Sequence, residues 1–171
     1  ISLLEGLSPE AEIIVGVSDI LTGNHIASTY DVGFTLTENS VKVKKSALKG
    51  TIIDALDTPD LVPVVALTCA FADGDSTITG VERVKYKESD RLLSTSEMIK
   101  SLGGECTYTS DKMTIKGQGY LKGGLVKAYN DHRIVMASAV GALCTENDTV
   151  IEDAHAVNKS YSDFFDDYNA L

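Results

Sequence analysis

What most narrows the folds open to this chain is that it repeats itself. Displaced by 72 residues, its second half runs over its first without a gap: Asp60 falls on His132, Ala70 on Ala142, Thr77 on Thr149 and Lys87 on Lys159. Phe34 likewise meets Cys106, and Val41 and Val43 meet Met113 and Ile115. Identities are few, but apolar and turn positions keep step, as they do after an old internal duplication. The period exceeds that of most solenoid repeats, so each unit, about 19–90 and 91–162, should be a compact α/β piece with elements of its own.

The order within a unit is helix, hairpin, linker, apolar helix, strand and basic turn. A lead-in ends in an apolar strand over 12–17, and Ser18-Asp19 caps a helix running to about residue 30. Strands over 34–37 and 40–44 follow, joined by Glu38-Asn39 as a hairpin turn. The stretch 46–57 reads as a linker holding the β-branched run Thr51-Ile52-Ile53, and Thr58-Pro59-Asp60 as a turn into a helix. That helix, 61–72, is apolar almost all round, so it has no face for water and must be buried. A strand over 76–81 closes the unit. The second unit gives a helix over 92–102 stopped by Gly103-Gly104, strands over 105–109 and 112–116, and a Gly-rich linker. An apolar helix over 134–144, a strand over 149–152 and a last helix over 163–168 complete it, with Tyr161, Phe164, Phe165 and Tyr168 as that helix's apolar side.

Charge limits the function. Fifteen Lys and Arg against 25 Asp and Glu leave a net charge of −10, which argues against nucleic acid or an anionic membrane as partner. Any anionic ligand has to be held by a local cluster working against the overall sign. Cys69, Cys106 and Cys144 are scattered, with neither metal-site nor disulfide spacing, which fits a reducing compartment such as the cytoplasm. His25 and His155 lack ligand-spaced partners, so neither a metal nor a cofactor is expected. No run approaches the roughly 20 apolar residues of a membrane span. The opening Ile1-Ser2-Leu3-Leu4-Glu5 has neither a start methionine nor a basic leader, and is expected to belong to a longer polypeptide.

The basic cluster is Lys85-Tyr86-Lys87-Glu88-Ser89-Asp90-Arg91. Ser89 or Asp90 can cap the helix that follows. Lys87 and Arg91 stand four apart, so if that helix begins early they share a face beside its N-terminus, where an anion would be favoured. Glu88 among these cations is either an ion-pair partner or a positioned acid or base. The repeat should bring equivalent turns to one rim, gathering Asp60, Lys87, Glu88, Arg91, Asp131, His132, Arg133 and Lys159. Taken singly these residues are ordinary. Asp60 after Pro59 reads as a helix cap, Glu88 as a surface pair worth under about 1 kcal/mol, and His132 as a structural hydrogen-bonder.

Lys87-Glu88-Ser89-Asp90-Arg91-Leu92, Asn130-Asp131-His132-Arg133 and Asn158-Lys159-Ser160, in that order, resemble the C-terminal part of the 5-enolpyruvylshikimate-3-phosphate synthases. The resemblance covers essentially the whole chain. It implies an inside-out α/β barrel of repeated βαβαββ units, helices buried and sheets outside, of which this single domain, 1–171, would hold two full units and a remnant. It also implies transfer of the enolpyruvyl group of phosphoenolpyruvate to the 5-hydroxyl of shikimate 3-phosphate, in chorismate and aromatic amino acid biosynthesis. Carried over by motif, Asp60 would be the proton acceptor and a shikimate-3-phosphate contact, and Glu88 the proton donor. Lys87 would bind shikimate 3-phosphate; Arg91, Arg133 and Lys159 would hold phosphoenolpyruvate. Arg83 stands where some members carry a substrate-binding asparagine, so that role is not carried over. The other domain's substrate motifs are absent, so the chain alone is expected to be inactive without the missing N-terminal domain. Two alternatives stay open: the sister transferase acting on UDP-N-acetylglucosamine, and a non-catalytic module binding an anion or a partner.

Overall fold

Two antiparallel and two parallel strand pairs share the displacement of 72 read in the sequence. The computed structural model describes residues 47–170 together with strands at 34–36 and 41–43; the readings over 1–33 and the turn Glu38-Asn39 lie outside the described residues. Strand β1 (Phe34–Leu36) pairs antiparallel with β2 (Val41–Val43), Phe34 opposite Val43 and Leu36 opposite Val41. Strands β5 (Glu105–Tyr108) and β6 (Lys112–Lys116) pair in the same way, Cys106 opposite Ile115 and Tyr108 opposite Met113, so each partner is displaced by 72. The parallel pairs obey the same displacement: β3 (Ile52–Asp54) on β4 (Ser76–Thr79) sets Ile53 opposite Ile78, and β7 (Leu125–Lys127) on β8 (Val150–Glu152) sets Leu125 opposite Val150.

Strands β3 and β7 lie in stretches read from sequence as linkers, which is a correction. Each is three residues long, buries only its middle residue (Ile53, Val126) and pairs with a strand about 25 residues away. So short a run gives no alternation to read, and its partner is not local. The sheet has the order β3-β4-β6-β5, parallel at its first step and antiparallel after it. Along β6, Met113 and Ile115 are buried while Lys112 and Lys116 face outward, the period-two pattern of a sheet with one wet side.

Helix α1 (Val62–Ala70) is buried at Val62, Pro63, Val65, Ala66, Leu67, Cys69 and Ala70, as its composition requires. It packs against α2 (Arg91–Ser101), α3 (His132–Ala142) and β6, so the helices lie inside. Ile78, Met98, Ile99, Met113, Ile115 and Ile134 are fully buried in this core, and each such side chain contributes roughly 1.5–3 kcal/mol. The helix α2 ends in a Schellman arrangement. Gly103, at φ 87°, and Gly104 donate to Lys100 and Ile99 carbonyls, satisfying carbonyls the helix leaves open. After β6 the chain crosses the end of α1. A Cβ on Gly117 would stand 2.3 Å from the Gly74 carbonyl oxygen, and Gln118 and Gly119 donate to the Ala70 and Ala72 carbonyls. The last helix, α4 (Phe164–Asn169), is short; Phe164 packs edge-on against Phe165 and Tyr161, and the Tyr168 hydroxyl donates to the Ala139 carbonyl. Among the described residues, no helix is long and apolar enough to cross a membrane.

Candidate functional site

Helix starts build the site. Asp90, with extended backbone, accepts from the Leu92 and Leu93 amides and so caps α2, which places Arg91 as the first helical residue. Asp131 does the same for α3 by accepting from the Arg133 amide at 2.9 Å. It follows Tyr129 and Asn130, both left-handed at φ 54° and 55°. That conformation is costly for residues with a Cβ, and here it turns the chain sharply ahead of the helix. Asp60 lies in the 3₁₀ turn Pro59–Leu61 that leads into α1. It caps nothing, contrary to the reading of it as a helix cap.

Arg91 ties these three starts together. Its side chain is 0% exposed and its guanidinium meets three carboxylates. Nε donates to Asp131 Oδ2 at 2.8 Å, Nη1 to Asp60 Oδ1 at 2.6 Å, and Nη2 to Glu88 Oε2. Asp60 also pairs with Lys87 (3.2 Å) and with Arg133 (3.3 Å). Three cations, two from the 87–91 stretch and one from the start of α3, therefore converge on one carboxylate, which stays 45% exposed. Lys87 and Arg91 meet there, but not by sharing a helix face: Lys87 is extended and the helix begins only at Arg91. Lys159, at the end of the 3₁₀ turn Ala154–Lys159, donates instead to the Asn130 carbonyl at 2.6 Å, against the loop that leads into Asp131.

The charges interlock. Burial pushes the Asp60 carboxyl up, but the hydrogen bonds from Arg91 and Lys87 and the charge of Arg133 outweigh it and hold the group below the usual carboxylate range. Burial likewise opposes the charged form of Asp131, yet the Arg91 and Arg133 bonds keep it ionised and its pKa low. Arg91 is the counterpart: burial works against its charge, and the Asp131 pairing more than restores it, raising its pKa. Asp60 is thus an ionised, partly wet carboxylate able to accept a proton once its cations are drawn elsewhere. Glu88, 41% exposed on the same guanidinium, is open to solvent on its free side.

Of the rim residues expected from sequence, Asp60, Lys87, Glu88, Arg91, Asp131 and Arg133 form one connected cluster, with Lys159 beside it. His132 departs from its expected part. Its Nδ1 is buried 4.0 Å from Asp131 Oδ1 without a hydrogen-bond partner among the described residues. Sequence reasoning placed Asp131 on the rim without a role of its own and left Ser89 off it. Ser89 Oγ donates to Asp131 Oδ2 at 2.9 Å and lies equally close to Ser94 Oγ. Among the described residues no group of three or more His, Cys, Asp or Glu could hold a metal.

A family model described as EPSP synthase (3-phosphoshikimate 1-carboxyvinyltransferase) matches residues 17–168. The 3-phosphoshikimate 1-carboxyvinyltransferase of Clostridium acetobutylicum is 39% identical over 82% of this chain and 33% of its own length. That of Clostridium novyi is 42% identical over 77% of this chain and 30% of its own. The chain therefore spans about a third of the relatives it matches. Among solved structures, the EPSP synthase of Acinetobacter baumannii superimposes with a TM-score of 0.72 at 26% identity, over 92% of this chain and 38% of that one. The architecture is the inside-out α/β barrel of those proteins.

Proposed function

This chain belongs to the EPSP synthase family, and from that premise we propose that it is the C-terminal part of a two-domain enolpyruvyl transferase. Residues 1–171 form one domain in this reading, with repeat units at about 19–90 and 91–162, and an N-terminal domain completes the site. The substrates are phosphoenolpyruvate and shikimate 3-phosphate, and the setting is the cytoplasm.

The observation that carries the reading is the convergence of Lys87, Arg91 and Arg133 on Asp60, with Glu88 on the same guanidinium. Enolpyruvyl transfer needs cations for phosphate and carboxylate groups, a base and an acid. Asp60 takes the proton of the 5-hydroxyl as its oxygen bonds to C2 of phosphoenolpyruvate, and Glu88 delivers a proton to C3. Elimination then breaks the C2–O bond to phosphate, C3 returns a proton to the Glu88 carboxylate, the proton held by Asp60 leaves with the phosphate, and the enol ether and inorganic phosphate depart. Lys87 holds shikimate 3-phosphate, while Arg91, Arg133 and Lys159 hold phosphoenolpyruvate, the forked guanidinium groups suiting planar or tetrahedral oxyanions.

The test is a chimera in which residues 17–168 replace the matching segment of the Clostridium acetobutylicum relative. It should release phosphate from phosphoenolpyruvate only when shikimate 3-phosphate is present. Glu88→Gln in the chimera should cut turnover at least about 100-fold, the scale of a lost general acid, without altering the circular dichroism spectrum. A folded but silent chimera would refute the assignment.

A further inference from the structure

Asp131 does far more than a helix cap requires. A cap needs one accepted hydrogen bond; Asp131 accepts four. Oδ2 takes Arg91 Nε at 2.8 Å and Ser89 Oγ at 2.9 Å, while Oδ1 takes the Arg133 amide at 2.9 Å and Arg91 Nη2 at 3.4 Å. Its side chain is 0% exposed, as is that of Arg91. The guanidinium is consequently divided. Its inner edge, Nε with one side of Nη2, is clamped to Asp131 where no solute reaches, and its outer edge meets Asp60 and Glu88, which are 45% and 41% exposed. An anion arriving from solvent can compete with the outer carboxylates but not with the inner one.

We infer that Asp131 is a positioning residue: it grips the inner edge of Arg91, and with Ser89 fastens the 87–91 loop to the start of α3, so that the outer edge is presented to an anionic ligand. No other acidic residue replaces it readily. Asparagine keeps the shape and can still cap the helix, but it loses the charge and turns either an NH₂ group or a single neutral acceptor toward donors that need an anion. Glutamate would push an extra methylene into a site with no exposed surface. The consequence for turnover rests on the enolpyruvyl reading; the division of the guanidinium does not.

The experiment has two arms. In the chain labelled with [¹⁵N]arginine, the Arg91 Nε–H should be protected from solvent exchange. Asp131→Asn should speed that exchange at least about tenfold, with the circular dichroism spectrum unchanged. Ser89→Ala should speed it a few-fold. In the chimera, Asp131→Asn should raise KM for phosphoenolpyruvate about tenfold or more with a smaller change in kcat, because a mis-aimed clamp weakens holding before it touches proton transfer. A residue that merely caps α3 would move neither readout, since asparagine caps as well as aspartate. Unaltered Nε–H exchange in Asp131→Asn overturns the inference, as does unaltered KM in an active chimera. Should Asp131→Asn fail to fold, unaltered exchange in Ser89→Ala overturns it instead. A silent wild-type chimera refutes the enzyme assignment alone, and the exchange arm still decides the role of Asp131.

Discussion

Arg91→Met is the perturbation that weighs most on the described architecture. Methionine fills much of the same space, so the change removes charge and hydrogen bonds rather than opening a large cavity. It leaves Asp131 at 0% exposure with only Ser89 and the Arg133 amide as donors. Removing one partner of a buried ion pair costs about 3–5 kcal/mol, because the remaining charge can neither reach water nor find a counterion. Asp60 and Glu88, both more than a third exposed, are screened by solvent and add under about 1 kcal/mol each. The loss is therefore about 3–5 kcal/mol, a large part of a domain stability of about 5–15 kcal/mol. Urea unfolding followed by far-ultraviolet circular dichroism measures it, since the chain has no tryptophan to report by fluorescence. The double variant Arg91→Met/Asp131→Leu removes the orphaned charge and should be less destabilised than the sum of the two singles by about 2 kcal/mol or more. Additive singles, or an Arg91→Met cost under about 1 kcal/mol, would refute the claim that this pair is buried and interdependent.

Two further expectations bear on the same cluster. Asp131 and Asp60 have folded-state pKa values held below the ordinary carboxylate value, so the stability they contribute is complete above the unfolded pKa, near 4, and drains away as pH falls through the folded values. The urea midpoint should stay level in this respect from about pH 8 to 5 and drop below about pH 4; Asp131→Asn should flatten the drop, and an unchanged acid slope would remove Asp131 as its source. Asp60→Asn frees Lys87, Arg91 and Arg133 from a shared carboxylate. Inorganic phosphate, titrated by ³¹P NMR, should therefore bind the variant chain more tightly, whereas turnover by the chimera should fall at least about 100-fold. Weaker phosphate binding would mean that Asp60 assembles the cations rather than masks them.

How much of this was legible in the sequence follows from the range of each interaction. The apolar ring of α1 needed no partner to be read as buried, and the Gly103-Gly104 stop is a local device that the backbone follows literally. The displacement of 72 read along the sequence recurs in the strand registers residue for residue. Strands β3 and β7 were missed because their pairing, and not their own composition, makes them strands. At the site, motif membership placed Lys87, Glu88, Arg91 and Arg133 near one another, but nothing local told which carboxylate each would choose. The linear spacing pointed Lys87 and Arg91 to one helix face; they meet instead on Asp60, which comes from another segment. Sequence put Asp131 on the rim but not onto Arg91: one of its four hydrogen bonds is local, to the Arg133 amide, and two come from a residue 40 positions away.

Those long-range pairings also balance the site's charges within the chain. Lys87, Arg91 and Arg133 are answered within the chain by Asp60, Glu88 and Asp131, and Lys159 by a carbonyl, so none of these four cations waits for a ligand to balance it. On the enolpyruvyl reading, the anionic groups of the substrates take over the outer edge of Arg91, together with Lys87 and Arg133. Asp60 then loses the partners that hold its pKa down and becomes a stronger base at the moment a hydroxyl proton must be taken. The same exchange frees Glu88 from Arg91. Ligand binding and activation of the acid and base are then one event. The buried Arg91–Asp131 pair has to stay fixed through it, because a guanidinium that turned with its ligand would carry the outer edge away from both carboxylates.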